Sequence, residues 1–254
     1  MNNALLLSGG TGSRISTDIP KQYLTVGGRM LVTYALEPLL TSPLIDRVAI
    51  VADQAWREAV LEDVRKAGMG TEKITGFADP GRNRQGSILN GLQLIISQIN
   101  KQSDGGCSCG SDGADGIEDA DTVLVHDGAR PFLSVKMLHA CYEALEGYDG
   151  VMPVLPMKDT VYLSRNGRGV DGLLDRGSIY AGQAPELFLL KKYYRANTAL
   201  LPHKILEVNG STEPAVMAGM DIAMIPGEER NFKITTGADL QKARELLLEK
   251  RSLT

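Results

Sequence analysis

The chain has 254 residues, 43% of them hydrophobic, so it is long enough to bury a substantial core. Its formal net charge of −4 at pH 7 argues against a nucleic-acid-binding surface. The first apolar run, residues 4–7, is too short for a signal peptide, and no stretch approaches the length of a membrane span. The cysteines, Cys107, Cys109 and Cys141, lack the even number and spacing of a disulfide framework. We therefore expect a cytoplasmic protein with neither nucleic acid nor membrane as a partner.

Apolar runs alternate with helix-like segments along the chain. The runs predict strands at residues 5–7, 47–51, 73–77, 122–126 and 150–154. Apolar residues at helical spacing predict helices at residues 30–40, 54–67, 87–99 and 135–145. This alternation predicts an α/β fold, in which helices cover both faces of a mostly parallel sheet. Ligands of such sheets bind at the carboxyl ends of the strands.

Two segments interrupt the alternation within what we expect to be a single domain, residues 1–254. Residues 100–121 are rich in Gly, Ser and Asp and nearly lack apolar side chains, which predicts a disordered surface insertion without a catalytic role. Residues 161–176 contain the turn signal Asn166-Gly167 and predict a hairpin. The resulting β-arm, at about residues 155–178, would project from the domain. Because such arms often exchange between subunits, we expect a homodimer formed through the β-arm.

The stretch LLLSGGTGSRISTDIPKQ, residues 5–22, places three glycines directly after the first predicted strand. Glycines allow a sharp turn, and their exposed N–H groups form a cradle for phosphate oxygens. Arg14 adds a planar donor fork and Lys21 a compact positive charge. A Walker A loop is excluded by the lack of Gly-Lys-Ser/Thr, and Ile15 replaces the third glycine of a dinucleotide-binding fingerprint. The stretch predicts a polyphosphate site; the alternative is a glycine turn with surface cations.

This stretch resembles the signature of cytidylyltransferases that act on polyol phosphates. The resemblance is to the 2-C-methyl-D-erythritol 4-phosphate cytidylyltransferase family, with the ribitol-5-phosphate cytidylyltransferases as a sister family. The resembling motifs are SGGTGSR at 8–14, PKQYL at 20–24, GRNRQGS at 81–87, HDGARPF at 126–132, KDT at 158–160 and NFKITT at 231–236. The resemblance covers almost the whole chain apart from residues 100–121. It implies a Rossmann-like nucleotidyltransferase fold and Mg²⁺-dependent transfer of CMP from CTP to a polyol phosphate, with release of pyrophosphate.

The resemblance also implies which residues contact each substrate. The residues it assigns to the nucleotide are Ser8, Gly9, Gly10, Thr11, Gly12, Ser13, Gly81, Arg82 and Ser87. Arg14 and Lys21 would be catalytic, because they would stabilise the charge that develops on the phosphates. The residues it assigns to the phosphate of the acceptor are Thr160, Arg176 and Lys233, with Arg130 contacting the substrate or orienting the loop. In the family the β-arm reaches the site of a neighbouring subunit.

Three polar residues have a structural interpretation beside the functional one. Asp127 follows a predicted strand, and a carboxylate there can hold Mg²⁺ that bridges the phosphates, although a turn or capping aspartate is the alternative. His126 is expected to be a structural hydrogen-bonding residue, because an ionised phosphate needs no base. Ser87 is also a plausible cap of the helix that follows it.

The chain departs from the family pattern at three places. Arg82 stands where an acidic residue is frequent. Ala184-Pro185-Glu186 replaces Thr-Pro-Gln, and Ser211-Thr212-Glu213 replaces the start of Thr-Asp-(Asp/Glu)-Ala. The last two changes concern the acceptor. They leave two alternatives open: an enzyme for ribitol 5-phosphate or another polyol phosphate, and an inactive CTP-binding regulatory protein.

Overall fold

The computed structural model describes residues 1–10, 19–102, 114 and 116–252. Arg14, Cys107 and Cys109 lie outside these ranges. The strands are β1 (Asn2–Leu7), β2 (Thr25–Val26), β3 (Arg29–Met30), β4 (Arg47–Val51), β5 (Ile74–Ala78), β6 (Thr122–Asp127), β7 (Gly150–Pro156), β8 (Val161–Leu163), β9 (Gly172–Leu174), β10 (Tyr180–Gly182), β11 (Glu186–Leu189) and β12 (Ile222–Pro226). The helices are α1 (Leu31–Thr41), α2 (Gln54–Lys66), α3 (Arg84–Gln102), α4 (Val135–Glu143), α5 (Leu190–Thr198), α6 (Glu213–Met217) and α7 (Gly237–Ser252).

One sheet of eight strands organises the molecule. Its order is β10–β7–β11–β6–β1–β4–β5, and β12 pairs with β7. Strands β6, β1, β4 and β5 are parallel neighbours, β12 is parallel to β7, and β10 and β11 are antiparallel to their neighbours. The prediction of a mostly parallel sheet is therefore confirmed.

Helices cover both faces of this sheet, as predicted. Leu6 of β1 packs in the cluster that contains Leu36 of α1, whereas its neighbour Leu5 packs with Ile88 of α3 on the opposite face. All four side chains are fully buried. A Cβ atom at Gly91 would collide with the Leu5 side chain, so α3 lies close against β1. The central strands are continuously apolar because both of their faces are covered.

The predicted elements occur with boundaries that shift by a few residues. The boundary difference that bears on the site is at α3, which begins at Arg84 and not at Ser87 as predicted. The side chain of Asn83 accepts a hydrogen bond from the Gly86 N–H at 2.8 Å, as a helix-capping residue does. Ser87 is therefore inside the first turn, and its interpretation as the cap of this helix is wrong.

The predicted insertion, residues 100–121, lies in large part outside the described residues. Its two ends belong to the folded core. Residues 100–102 complete α3, and Ala114 and Ile117 are buried in the cluster that α3 forms with β1. The predicted disordered segment is thus too long at both ends, because Ala114 and Ile117 supply apolar surface that the composition of the whole segment conceals.

The predicted hairpin is confirmed by the antiparallel pairing of β8 with β9. Gly167 has a φ of 68°, the left-handed conformation that the Asn-Gly turn requires. The apolar side chains of this β-arm face solvent: Tyr162 is 59%, Val170 is 70% and Leu173 is 68% exposed. Within the described ranges, no helix has the length and apolar character needed to cross a membrane.

Candidate active site

A pocket of about 440 Å³ opens at the carboxyl edge of the parallel strands. Its volume is in the range of small-ligand sites. The predicted site residues that line it together are Ser8, Gly9, Gly10, Lys21, Gly81, Arg82, Ser87, Asp127 and Lys233. These residues come from four separate parts of the chain: the segment after β1, the turn into α3 with the start of that helix, the end of β6 and the segment before α7. The fold brings these four parts together at one place.

The start of the glycine loop is held by the segment that contains Pro-Lys-Gln-Tyr. The side-chain amide of Gln22 donates to the carbonyl oxygens of Ser8 and Gly10, both at 2.6 Å, and the Tyr23 hydroxyl donates to Ser8 at 2.8 Å. The hydroxyl and the N–H of Ser8 both donate to the carbonyl oxygen of Val51, at 2.7 and 2.8 Å. Ser8 therefore anchors the loop, and its polar groups are already bonded within the protein.

The rest of the glycine loop lies outside the described residues. Thr11, Gly12, Ser13 and Arg14 belong to it, so their assignment to the nucleotide and to catalysis stays a prediction. Lys21, the other predicted catalytic residue, lies in the pocket wall in a short 3-10 turn and is half-buried.

The second wall of the pocket is the turn that leads into α3. The Gly81 N–H donates to the Ser87 hydroxyl at 2.9 Å, and this hydroxyl donates to the carbonyl oxygen of Asn83 at 3.0 Å. A Cβ atom at Gly81 would collide with the backbone of Gly86 and Ser87, so only glycine allows this close approach. Arg82 is exposed at the same place.

Asp127 ends β6 and is the most strongly paired carboxylate of the site. It is 4% exposed. One carboxylate oxygen accepts from Arg84, and the other lies 3.1 Å from Lys233 Nζ and 3.3 Å from Arg130 Nε. Burial alone would raise the pKa of Asp127, but the charges of Arg84, Lys233 and Arg130 hold it well below its ordinary value. Asp127 is therefore ionised and surrounded by cations.

This arrangement limits how Asp127 can hold a metal ion. Both of its oxygens are bonded to cationic side chains. Among the described residues, no group of three His, Cys, Asp or Glu side chains forms a metal site. Mg²⁺ needs only one or two carboxylates when phosphate oxygens and water complete its shell. The described donor set therefore fits an ion that arrives with the phosphates, with Asp127 as one ligand.

Arg130 and His126 support the loop that follows β6. Arg130 Nη1 donates to the carbonyl oxygen of Asn231 at 2.7 Å, and Arg130 is not part of the pocket lining. This favours its interpretation as a residue that orients the loop. The Nε2–H of His126 donates to the carbonyl oxygen of Arg130 at 3.1 Å. His126 is fully buried, and burial lowers its pKa to about 4, which agrees with the expectation of a structural hydrogen-bonding residue.

Two predicted acceptor-binding residues lie elsewhere in this chain. Thr160 and Arg176 are exposed at the base of the β-arm and are not part of the pocket lining. Arg176 Nη1 donates to the carbonyl oxygen of Lys158 at 2.8 Å. One chain therefore joins Lys233 to Asp127 but does not bring Thr160 or Arg176 to the same pocket.

The sequence interpretation missed one charged residue that lines the pocket. Arg84 contacts Asp127, and its Nε and Nη2 donate to the Ser211 hydroxyl at 3.1 and 2.8 Å. Glu186 lies beside it, with 4.0 Å between Arg84 Nη2 and Glu186 Oε2. The sequence contained a signal for both residues: Arg84 belongs to the motif at 81–87, and Glu186 departs from the family pattern.

An open, mostly parallel sheet with a cation-rich pocket at its carboxyl edge defines a nucleotide-binding α/β protein. The model of the family described as 2-C-methyl-D-erythritol 4-phosphate cytidylyltransferase (IspD) matches residues 3–102 and 112–249. The chain belongs to this family of nucleotidyltransferases, as the sequence motifs indicated. Between these two matched ranges, the unmatched residues 103–111 fall inside the expected insertion.

Relatives of this chain carry the same family name. The 2-C-methyl-D-erythritol 4-phosphate cytidylyltransferase of Thermotoga neapolitana is 32% identical over 249 residues, which are 98% of this chain and 98% of that protein. A bifunctional enzyme IspD/IspF of Paramagnetospirillum magneticum is 32% identical over 241 residues, and the chain spans 55% of its length. The crystal structure of the Francisella tularensis 2-C-methyl-D-erythritol 4-phosphate cytidylyltransferase has a TM-score of 0.74 at 23% identity, covering 95% of this chain and 97% of that one. This likeness confirms the Rossmann-like nucleotidyltransferase fold.

Proposed function

We propose that this protein transfers CMP from CTP to 2-C-methyl-D-erythritol 4-phosphate, giving CDP-methylerythritol and pyrophosphate in non-mevalonate isoprenoid synthesis. One observation carries the proposal. In a chain of this family, the pocket joins the start of the glycine loop, the 81–87 turn, Lys21, Asp127 and Lys233 at one edge of the sheet.

The chemistry follows from the charges of the pocket. An oxygen of the acceptor phosphate bonds to the α-phosphorus of CTP, and the bond to the β-phosphate oxygen breaks, so that pyrophosphate leaves with its electron pair. The acceptor phosphate is already ionised, and no side chain has to remove a proton. Lys21, Arg84 and Lys233 line the pocket and can stabilise the negative charge on the transferring and leaving oxygens. His126 is fully buried and is not part of the pocket lining, which agrees with a reaction that needs no base.

We also propose Mg²⁺ as the cofactor, bound with the phosphates and by one oxygen of Asp127. When bound, it would neutralise part of the phosphate charge. Turnover should require added Mg²⁺ and be abolished by EDTA, and Asp127→Asn should raise the Mg²⁺ concentration needed for half-maximal rate. Full turnover in EDTA would contradict this part of the proposal.

We infer further that the protein is a cytoplasmic homodimer joined through the β-arm, which would bring Thr160 and Arg176 to the pocket of a second copy. The exposed Tyr162, Val170 and Leu173 support this inference, because apolar side chains on a projecting hairpin fit a protein partner. Light scattering should give a dimer for the wild type and a monomer for Leu173→Glu. Leu201→Glu, at a leucine that is 50% exposed outside the arm, is the control and should stay dimeric. A monomeric wild type would contradict the inference.

A second acceptor is favoured by Ala184 and Glu186, which differ from the family pattern near the pocket. Ribitol 5-phosphate, or another polyol phosphate, is therefore the alternative acceptor. The deciding experiment measures pyrophosphate release with CTP and Mg²⁺, with methylerythritol 4-phosphate and ribitol 5-phosphate side by side. A higher kcat/KM for the first supports the main proposal, and a higher value for the second supports the alternative. CTP binding without turnover on either would indicate a regulatory CTP-binding protein.

A further inference from the structure

Two buried carboxylates, Asp127 in the pocket lining and Glu186 beside Arg84, lie on the same face of the sheet. Glu186 of β11 is paired with Val125 of the antiparallel strand β6, and Asp127 lies two residues beyond Val125. Directly opposite residues of antiparallel strands share a face, and so do residues two apart on one strand. Asp127 and Glu186 are therefore diagonal neighbours, 4% and 8% exposed, whose negative charges would repel each other without a cation between them.

Arg84 is that cation. Its Nη1 contacts Asp127, while Nη2 lies 4.0 Å from Glu186 and 2.8 Å from the Ser211 hydroxyl. Nε also donates to Ser211, at 3.1 Å. An arginine beside a single carboxylate readily forms a two-pronged pair that uses both of its parallel N–H groups. Here one prong meets Asp127 and the other is turned toward Glu186 and Ser211.

Glu186 itself is held from the other side. Thr212 Oγ1 donates to Glu186 Oε1 at 2.9 Å, whereas Oε2, the oxygen near Arg84, has no hydrogen-bond partner among the described residues. Burial raises the pKa of this carboxyl above its ordinary value. A buried ion pair is weak evidence for stability, because well-packed apolar residues of similar volume frequently replace the whole pair without loss. The charge at this position therefore calls for an explanation other than folding.

We propose that Glu186 is a positioning residue for the transfer reaction. Together with Ser211, Glu186 keeps the Arg84 guanidinium from forming a two-pronged pair with Asp127. The guanidinium is thereby fixed in the pocket wall, where it meets an anionic oxygen of the substrates. This inference rests on the proposed function for the identity of the substrates. Because Arg84 engages only one oxygen of Asp127, the second oxygen stays available for Lys233 and Arg130, with which it is paired.

The test is a double-mutant cycle of Glu186→Gln and Arg84→Lys, with kcat and KM measured for CTP and for the acceptor. Misplacing a group by about 1 Å can cost on the order of 100-fold in rate. We expect Glu186→Gln to lower kcat/KM by about 10- to 100-fold, with a Tm equal to or above that of the wild type. In the Arg84→Lys background the same change should cost less than about threefold, because its target is gone. Glu207→Gln, at an exposed glutamate, is the matched control and should behave as the wild type.

The result can contradict the inference in two ways. Independent, multiplicative losses from the two changes would show that Glu186 does not act through Arg84. A Tm that falls in parallel with activity in Glu186→Gln would show a role in folding. If the wild type turns over neither acceptor, the proposed function fails instead, and the same cycle is measured as the Kd of CTP by calorimetry. There, a several-fold weakening by Glu186→Gln in the wild type but not in Arg84→Lys supports the inference, and equal weakening in both contradicts it.

Discussion

At the scale of single residues, the cationic side chains of the pocket have two tasks: some neutralise a buried carboxylate of the protein, and others are expected to act on the charge of the substrates. Asp127 already engages Arg84, Arg130 and Lys233. Lys21 lines the same pocket from a short 3-10 turn and is not among the cations bonded to Asp127. We therefore expect Lys21 to act on substrate charge, whereas the cluster around Asp127 also has a structural task.

Replacing Lys21 tests this division of roles. Lys21→Ala should lower kcat by about 100-fold or more, the magnitude found when one preorganised donor to a developing oxyanion is removed. Its Tm should change little, because the residue lies in a pocket wall and not in the core. Steady-state kinetics and thermal unfolding provide the two measurements. Lys66→Ala, at an exposed lysine on α2, is the control for loss of a positive charge. A drop in Tm that accompanies the drop in kcat would mean that Lys21 is structural.

Which residues could be found from the sequence depended on how local their contacts are. The glycine loop, Lys21 and the turn at 81–87 are short motifs that carry their own signal, and the structure joins their described parts. The Arg84–Ser211 contact spans 127 positions, and the Arg84–Glu186 contact also depends on the register of β11 with β6. No pattern within a window of the sequence reports such a pairing, so the sequence pointed to Glu186 only as a departure and missed Arg84.

At the scale of elements, a capping box fixes the segment that carries Lys233. Thr236 directly precedes α7, and the Asp239 carboxylate accepts hydrogen bonds from the N–H groups of Thr235 and Thr236, at 3.0 and 2.8 Å. The Thr236 hydroxyl in turn accepts from the Asp239 N–H at 3.2 Å. This is the reciprocal pattern in which a Thr at the cap and an acid three residues later satisfy each other's donors. It holds the chain just after Lys233.

We expect Asp239→Asn to destabilise the protein by about 1 kcal/mol, as the loss of a helix cap does. Burial would raise the pKa of Asp239, but the hydrogen bonds from Thr235 and Thr236 lower it to about 2. Because the folded-state pKa is below the unfolded one, the contribution of Asp239 is present near neutral pH and is lost as pH falls from about 4 to about 2. The difference in Tm between wild type and variant should therefore shrink over this interval. A constant difference would contradict the ionic role of Asp239.

The insertion shows why element boundaries were harder to predict than elements. A composition averaged over residues 100–121 is polar, yet Ala114 and Ile117 within it are 2% and 4% exposed. Two apolar residues have no periodicity, and only their contact with α3 reveals that they belong to the core. Strands β10 and β11 were missed for a related reason: they are three and four residues long and are stabilised by pairing with β7 or β6, not by a local pattern. Strand β12 was missed although its apolar run of five residues is as long as β4.

Two variants separate the insertion from its ends. Replacing residues 104–111 by a Gly-Ser segment of equal length should leave turnover and Tm near the wild type, because the family match omits this whole stretch. Ile117→Ala should lower stability by about 2 kcal/mol or more, the usual cost of truncating a buried isoleucine. Denaturant unfolding and pyrophosphate release measure both. Loss of activity in the Gly-Ser variant with an unchanged Tm would assign the insertion a functional role that the sequence did not suggest.

At the scale of the whole molecule, the pocket exists only in the folded chain. Ser8, Gly81, Asp127 and Lys233 are brought together by the sheet order, in which β1 lies between β6 and β4. The α/β alternation predicted this edge as the ligand site, and the motifs predicted most of its lining. In the proposed dimer, the β-arm would reach the pocket of a second copy, and no pattern within one sequence reports such an arrangement.

A ligand that binds only the assembled pocket must raise the stability of the whole domain. CTP with Mg²⁺ at about 100 times its Kd should stabilise the protein by about 2.7 kcal/mol. For a chain of this size the Tm should then rise by roughly 5–10 °C. The shift should increase with CTP concentration and be smaller in Lys21→Ala at the same concentration, whereas Lys66→Ala should match the wild type. A shift of equal size with ATP would mean that the pocket does not distinguish CTP from ATP. If millimolar CTP gives no shift in Tm, the pocket is not a nucleotide site. The role of Arg84, Arg130 and Lys233 would then be limited to neutralising the buried charge of Asp127.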